Sequence, residues 1–110
     1  MEAFELTPRP IFKVETPARD YKYLAFLRKL CCVVCGSFWR VEAAHFGAHG
    51  MSSKASDYDA LPLCRKCHRT GPKAYHSMAP WRFVSVHNLS VSRHQRECRE
   101  GYARITGRAA

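Results

Sequence analysis

Apolar positions along the chain fall into short periodic runs separated by polar stretches that carry glycine and proline. Tyr23, Leu24, Leu27, Leu30 and Cys31 recur at helical spacing, with Arg19, Lys22 and Lys29 off that stripe. Thr16 followed by Pro17 has the composition of an N-cap and a first helical residue, so a helix is predicted from there to about Leu30. Residues 1–15 contain Pro8 and Pro10 and little periodicity, and are read as an extended N-terminal arm. The remainder, 16–110, has the length of a single domain.

Phe38 to His45 alternates as a strand should, with Trp39, Val41, Ala43 and His45 on one side. A loop with Gly47, Gly50 and two serines leads to Asp57. Leu61-Pro62-Leu63 makes a short second strand at best, because Pro62 cannot donate to a ladder. A short helix is expected from Cys64 to about Arg69, interrupted by Gly71-Pro72. A further helix is expected over Trp81–Asn88. Ser90 then caps a last helix whose stripe is Val91, His94, Cys98, Tyr102 and Ile105. Trp39 and Trp81 are assigned to core packing, with base stacking as the alternative.

Composition narrows the function classes. Hydrophobic residues make up 46% and charged residues 25%, which excludes a disordered chain. The longest apolar run, Leu30 to Cys35, is far shorter than the roughly 18 residues of a membrane span. The first residues lack a basic segment followed by an apolar one, so no membrane association and a cytoplasmic location are expected. Eighteen Lys and Arg against nine Asp and Glu give a net charge of +9. Such an excess attracts polyanions, and nucleic acid is the expected partner; a merely solvated basic surface is the alternative. Lys22, Lys29, Lys54 and Arg65 are the candidate phosphate contacts.

Cysteine spacing adds a metal. Four of six cysteines form two matching pairs, Cys32-x-x-Cys35-Gly and Cys64-x-x-Cys67. Each pair places two sulfurs on one side of a tight turn, and two pairs supply the four thiolates of a closed structural Zn²⁺ site. The 28 intervening residues exceed a compact two-knuckle site, so the metal is expected to staple two knuckles around an insertion in a treble-clef-like manner. Cys31 can replace Cys32 at a looser spacing, and Cys98 reads as a buried thiol.

These pieces occur in a familiar order. Cys32-Val-Val-Cys35-Gly, Val41-Glu-Ala-Ala-His45, Gly50-x-x-x-Lys54-x-x-Asp57, Leu61-Pro-Leu-Cys64-x-x-Cys67-His68 and Tyr75-His76 follow one another. In this, residues 20–106 resemble the HNH (His-Me finger, ββα-metal) endonucleases, in the zinc-knuckle form encoded by phages and prophages. The resemblance implies a small α+β fold, a zinc-knuckle ββα-metal core with flanking helices. It also implies a DNA endonuclease that hydrolyses phosphodiester bonds with low sequence specificity. His45 matches the general base, and His68 the helix histidine that binds a catalytic Mg²⁺ or Mn²⁺. Asp57 and His76 match further ligand positions. Many members carry a ligand immediately before the general base, where this chain has Ala44. A zinc-stapled nucleic-acid-binding module with weak or lost activity is the second reading, and a structural adaptor the third.

Overall fold

The computed structural model describes residues 18–46 and 55–108. The arm at 1–15, the Thr16-Pro17 pair, Lys54 and the glycine-bearing loop therefore lie outside the described residues.

The first helix, α1, spans Tyr21–Leu27, shorter at both ends than its apolar spacing predicts. Its cap is Asp20, whose carboxylate accepts from the amides of Lys22 and Tyr23 at 3.0 Å each. Beyond Leu27 the backbone tightens into i→i+3 bonds, Lys29 to Phe26 and Leu30 to Leu27, which ends the α-helical pitch. Tyr23 and Leu27 are fully buried, whereas Lys22 and Lys29 face solvent.

The knuckle from Cys32 to Ser37 follows, closed by Cys32 N–H donating to Ser37 O and Gly36 N–H to Cys32 O. Gly36 takes φ +79°, a left-handed conformation that suits glycine. Arg40 is also left-handed, at φ 52°, and this breaks the extended run predicted from Phe38. Strand β1 consequently spans only Val41–His45. Phe38 and Trp39 fall outside it and are exposed, at 72% and 71%. Trp81, likewise expected in the core, is also 71% exposed.

Strand β2 spans Ala60–Cys64 and pairs antiparallel with β1, Val41 opposite Cys64 and His45 opposite Ala60. Pro62 sits at its centre without cost. Its carbonyl accepts from Val33 on the side away from β1, so its missing N–H also falls outside the two-stranded ladder. All five residues of β2 are buried.

The helix expected after Cys64 is a wide π-type turn, Lys66–Thr70, closed by Gly71 N–H to Lys66 O at 2.8 Å. A Cβ on Gly71 would meet that carbonyl oxygen at 2.7 Å, so the close approach requires glycine. A 3₁₀ turn at Tyr75–Ser77 precedes α2, Pro80–Val86, and α3, Val91–Thr106. The α3 stripe predicted from the sequence holds at Cys98 and Tyr102, which are buried, but Ile105 is exposed. Tyr102 meets Tyr23 edge-on, with ring centroids 5.1 Å apart, and this contact seals α3 over α1 and the sheet. The result is a small mixed α+β fold whose core lies between the sheet, α1, Phe83 and α3.

Candidate functional site

Four sulfurs define the best-formed site. Cys32 and Cys35 come from the first knuckle, Cys64 from the end of β2 and Cys67 from the π turn; one sulfur from each lies within 4.8 Å of all the others. Cys35 Sγ and Cys64 Sγ are 3.6 Å apart, close to the roughly 3.8 Å edge of a tetrahedron with Zn–S bonds near 2.3 Å. The Val34 and Cys35 amides point at Cys32 Sγ from 3.4 and 3.5 Å, as donors stabilising a thiolate. Burial pushes the Cys67 thiol up, and the neighbouring sulfurs push it further. A divalent cation reverses this, since a coordinated thiol is deprotonated. The donor set therefore fits a metal ion such as zinc. Cys31 is exposed and stands apart from the set, and Cys98 is a buried thiol on α3.

Polar groups gather in two constellations on the same sheet. In the first, His45 Nε2 meets Asp57 Oδ1 at 2.8 Å. Asp57 is almost fully buried, and its other oxygen accepts from the Asp20 amide at 2.7 Å. Arg19 approaches it at 3.4 Å. Asp57 is thus a buried carboxylate with three partners, and it fixes which imidazole nitrogen carries hydrogen. With Nε2–H committed to Asp57, the other ring nitrogen of the partly buried His45 is left as an acceptor.

The second constellation is built on the π turn. His68 Nδ1 donates to Glu42 Oε1 at 2.7 Å, and Arg69 Nε donates to the same oxygen at 3.0 Å. Partial burial pushes the Glu42 carboxyl up, but the His68 hydrogen bond and the Arg69 charge outweigh it and hold it below the usual range. Burial lowers His68, partly offset by its bond to Glu42, so the pair is a neutral imidazole donating to a carboxylate. The remaining nitrogen, His68 Nε2, faces His76 Nε2 at 3.1 Å. A carboxylate accepting from the far nitrogen of a histidine is an arrangement also found behind histidine metal ligands.

The three ligands expected for a second ion are therefore divided. His68 and His76 are adjacent, whereas Asp57 is committed to His45. Among the described residues, only the cysteines bring three or more such donors together. Ala44 is fully buried opposite Leu61. Of the expected phosphate contacts, Lys22, Lys29 and Arg65 are exposed.

Sequence reasoning assigned no role to Glu42 or Tyr75. Glu42 was detectable as a carboxylate inside a strand that pairs with a wholly apolar partner, which requires a compensating polar neighbour. The Tyr75 hydroxyl donates to the His45 carbonyl at 3.0 Å, and its ring stacks on Phe46 with centroids 4.4 Å apart. Tyr75 thereby links the two constellations.

No curated protein and no solved structure matches this chain. One family profile does, over residues 10–80, a span that holds both knuckles, both strands and every polar residue of the two constellations. The chain belongs to that family, described as protein of unknown function (DUF968).

Proposed function

We propose that the protein is a zinc-stapled, metal-dependent DNA endonuclease of the HNH type, built on a treble-clef-like core. The observation that carries this reading is the His45–Asp57 pair at 2.8 Å. A buried carboxylate holds one imidazole nitrogen and leaves the other to accept a proton from water, the arrangement of an oriented general base. His45 takes the proton of the attacking water and Asp57 stabilises the imidazolium that forms. His68 and His76 would hold a divalent ion, with Glu42 orienting His68 from behind. Such an ion supplies charge stabilisation at a scissile phosphate. Two imidazoles suit Mn²⁺ and later transition metals better than Mg²⁺, which prefers oxygen. The excess of positive charge serves phosphate binding, which carries little sequence preference.

A second reading is favoured by one observation. Asp57 is fully engaged by Asp20, Arg19 and His45, which leaves only two imidazoles as donors. A zinc-stapled DNA-binding module with little or no cleavage fits that economy of ligands. The two readings separate in a plasmid-nicking assay with zinc-loaded protein, with and without added Mg²⁺ or Mn²⁺. Nicking that depends on the added ion supports the nuclease. Binding of plasmid with no cleavage under any of these ions assigns the protein to the second reading.

A further inference from the structure

The first knuckle carries a feature that neither the zinc site nor the two polar constellations use. Trp39 projects into solvent with 71% of its surface exposed, and the Arg40 guanidinium lies over its ring, 5.1 Å from the centroid. Arg40 holds a left-handed backbone at φ 52°, which is unfavourable for a residue with a side chain. Neither an exposed indole nor a strained arginine helps the chain fold. The backbone that carries both is nonetheless fixed in place. The Trp39 amide donates to Ser37 Oγ at 3.0 Å, and the Ser37 carbonyl accepts from the zinc-ligand residue Cys32 at 2.8 Å. On the other side, the Arg40 carbonyl accepts from Arg65 at 2.9 Å, one residue after the ligand Cys64. The turn is thus fastened at both ends to the metal set.

Its surroundings are cationic. Arg65 is exposed beside it, and neither Arg40 nor Arg65 forms an ion pair among the described residues. An exposed aromatic plane on a fastened backbone, topped by a guanidinium and adjoined by the exposed Arg65, matches a planar group attached to a phosphate chain. We infer that Trp39 and Arg40 form a stacking platform for an unpaired nucleobase, with Arg65 holding the adjoining phosphate. This deepens the nucleic-acid reading above and rests on it. It specifies single-stranded or locally opened nucleic acid, because a base inside a duplex presents no free face.

The test uses the zinc-loaded full chain and two probes about 12 nucleotides long, within the usual range of single-strand site sizes: oligothymidylate and an abasic strand of equal charge. Trp39→Ala is expected to lower oligothymidylate affinity by about 5- to 150-fold, the range for removing one stacked base, and to leave abasic-strand affinity unchanged. In a Trp81→Phe background Trp39 is the sole tryptophan, and its fluorescence should be quenched by oligothymidylate but not by the abasic strand. Arg40→Gly accepts the left-handed backbone while removing the guanidinium, so weakened binding with quenching retained is expected. Equal affinity of Trp39→Ala and parent for oligothymidylate overturns the platform, as does unquenched Trp39. If the parent binds both probes equally, stacking fails while the nucleic-acid reading stands. If it binds neither strand, nor the plasmid of the nicking assay, both fail.

Discussion

The Tyr75 hydroxyl donates to the backbone carbonyl of His45, fastening the last residue of β1 to the turn that presents His76. The same ring stacks on Phe46 and lies against His68, with centroids 6.3 Å apart. A single side chain therefore sets the spacing between the proposed base and the two facing imidazoles. Tyr75→Phe keeps the ring and removes the tie. Loss of one hydrogen bond should cost about 1 kcal/mol of stability. Nicking, which depends on placement to a fraction of an ångström, should fall about 10- to 100-fold. Thermal melting and nicking kinetics on the same preparation check both; an unchanged nicking rate would remove Tyr75 from the site.

Removing the metal should unfold much of the chain. The sulfurs join the first knuckle, β2 and the π turn, and a core this small draws heavily on such a staple. The purified protein should hold one equivalent of zinc against mild chelation. Cys64→Ser should lose both the zinc and the cooperative melt, whereas Cys31→Ser should keep them. Circular dichroism with metal analysis decides this. A metal-free protein that melts at the original temperature contradicts it.

His45 and Asp57 should differ in what they cost. His45→Ala removes the proton acceptor and should lower nicking by about 10²–10⁴ with DNA affinity nearly intact. Asp57→Asn preserves shape but no longer stabilises the imidazolium, so it should also reduce rate. It should in addition destabilise the fold, because the buried carboxylate holds the Asp20 amide as well. Rate, affinity and melting temperature measured together for both variants test the assignment. Nicking that survives His45→Ala unchanged would refute it.

Asp20 sets part of the acid limb of stability. The Tyr58 hydroxyl donates to its carboxylate at 2.7 Å, and this bond, against some desolvation and with help from the Tyr23 and Lys22 amides, lowers its pKa. A carboxyl lowered on folding contributes stability that is present above its unfolded value near 4. That contribution is lost as pH falls through the lower folded value. Asp20→Asn keeps a capping side chain but not the charge. Its melting temperature should lie below the parent's at pH 6, and the gap should close as pH falls towards 3. A gap that stays constant across this range contradicts the assignment.

Local spacing made some of this legible and left the rest hidden. Cys-x-x-Cys is a contact between near neighbours, so both knuckles could be read directly, as could the apolar faces at Tyr23, Leu27, Cys98 and Tyr102. The start of α1 was misplaced because Thr16-Pro17 is a local start signal, whereas the cap that forms, Asp20, is held by tertiary bonds to Tyr58 and Asp57. Asp57 shows the same limit. Its residue type suits a metal ligand, but its pairing with His45, 12 residues away, is a tertiary contact that no spacing rule encodes. Trp39 misled for the opposite reason. An aromatic beside a strand pattern normally packs inside, and the left-handed Arg40 that turns it outward has no signature in the sequence.

Cys64 has two places at one position, as the final residue of β2 opposite Val41 and as one of the four clustered sulfurs that fit a metal ion. Sliding the hairpin by a single residue would swap the faces of every β2 side chain and carry this sulfur away from its three companions. Coordination and strand register are therefore one decision. A misaligned hairpin cannot close the metal shell, and a closed shell admits only the aligned hairpin. A metal ion held by these four sulfurs would act as a proofreader of its own binding site, rewarding the chain only after the strands have been counted correctly.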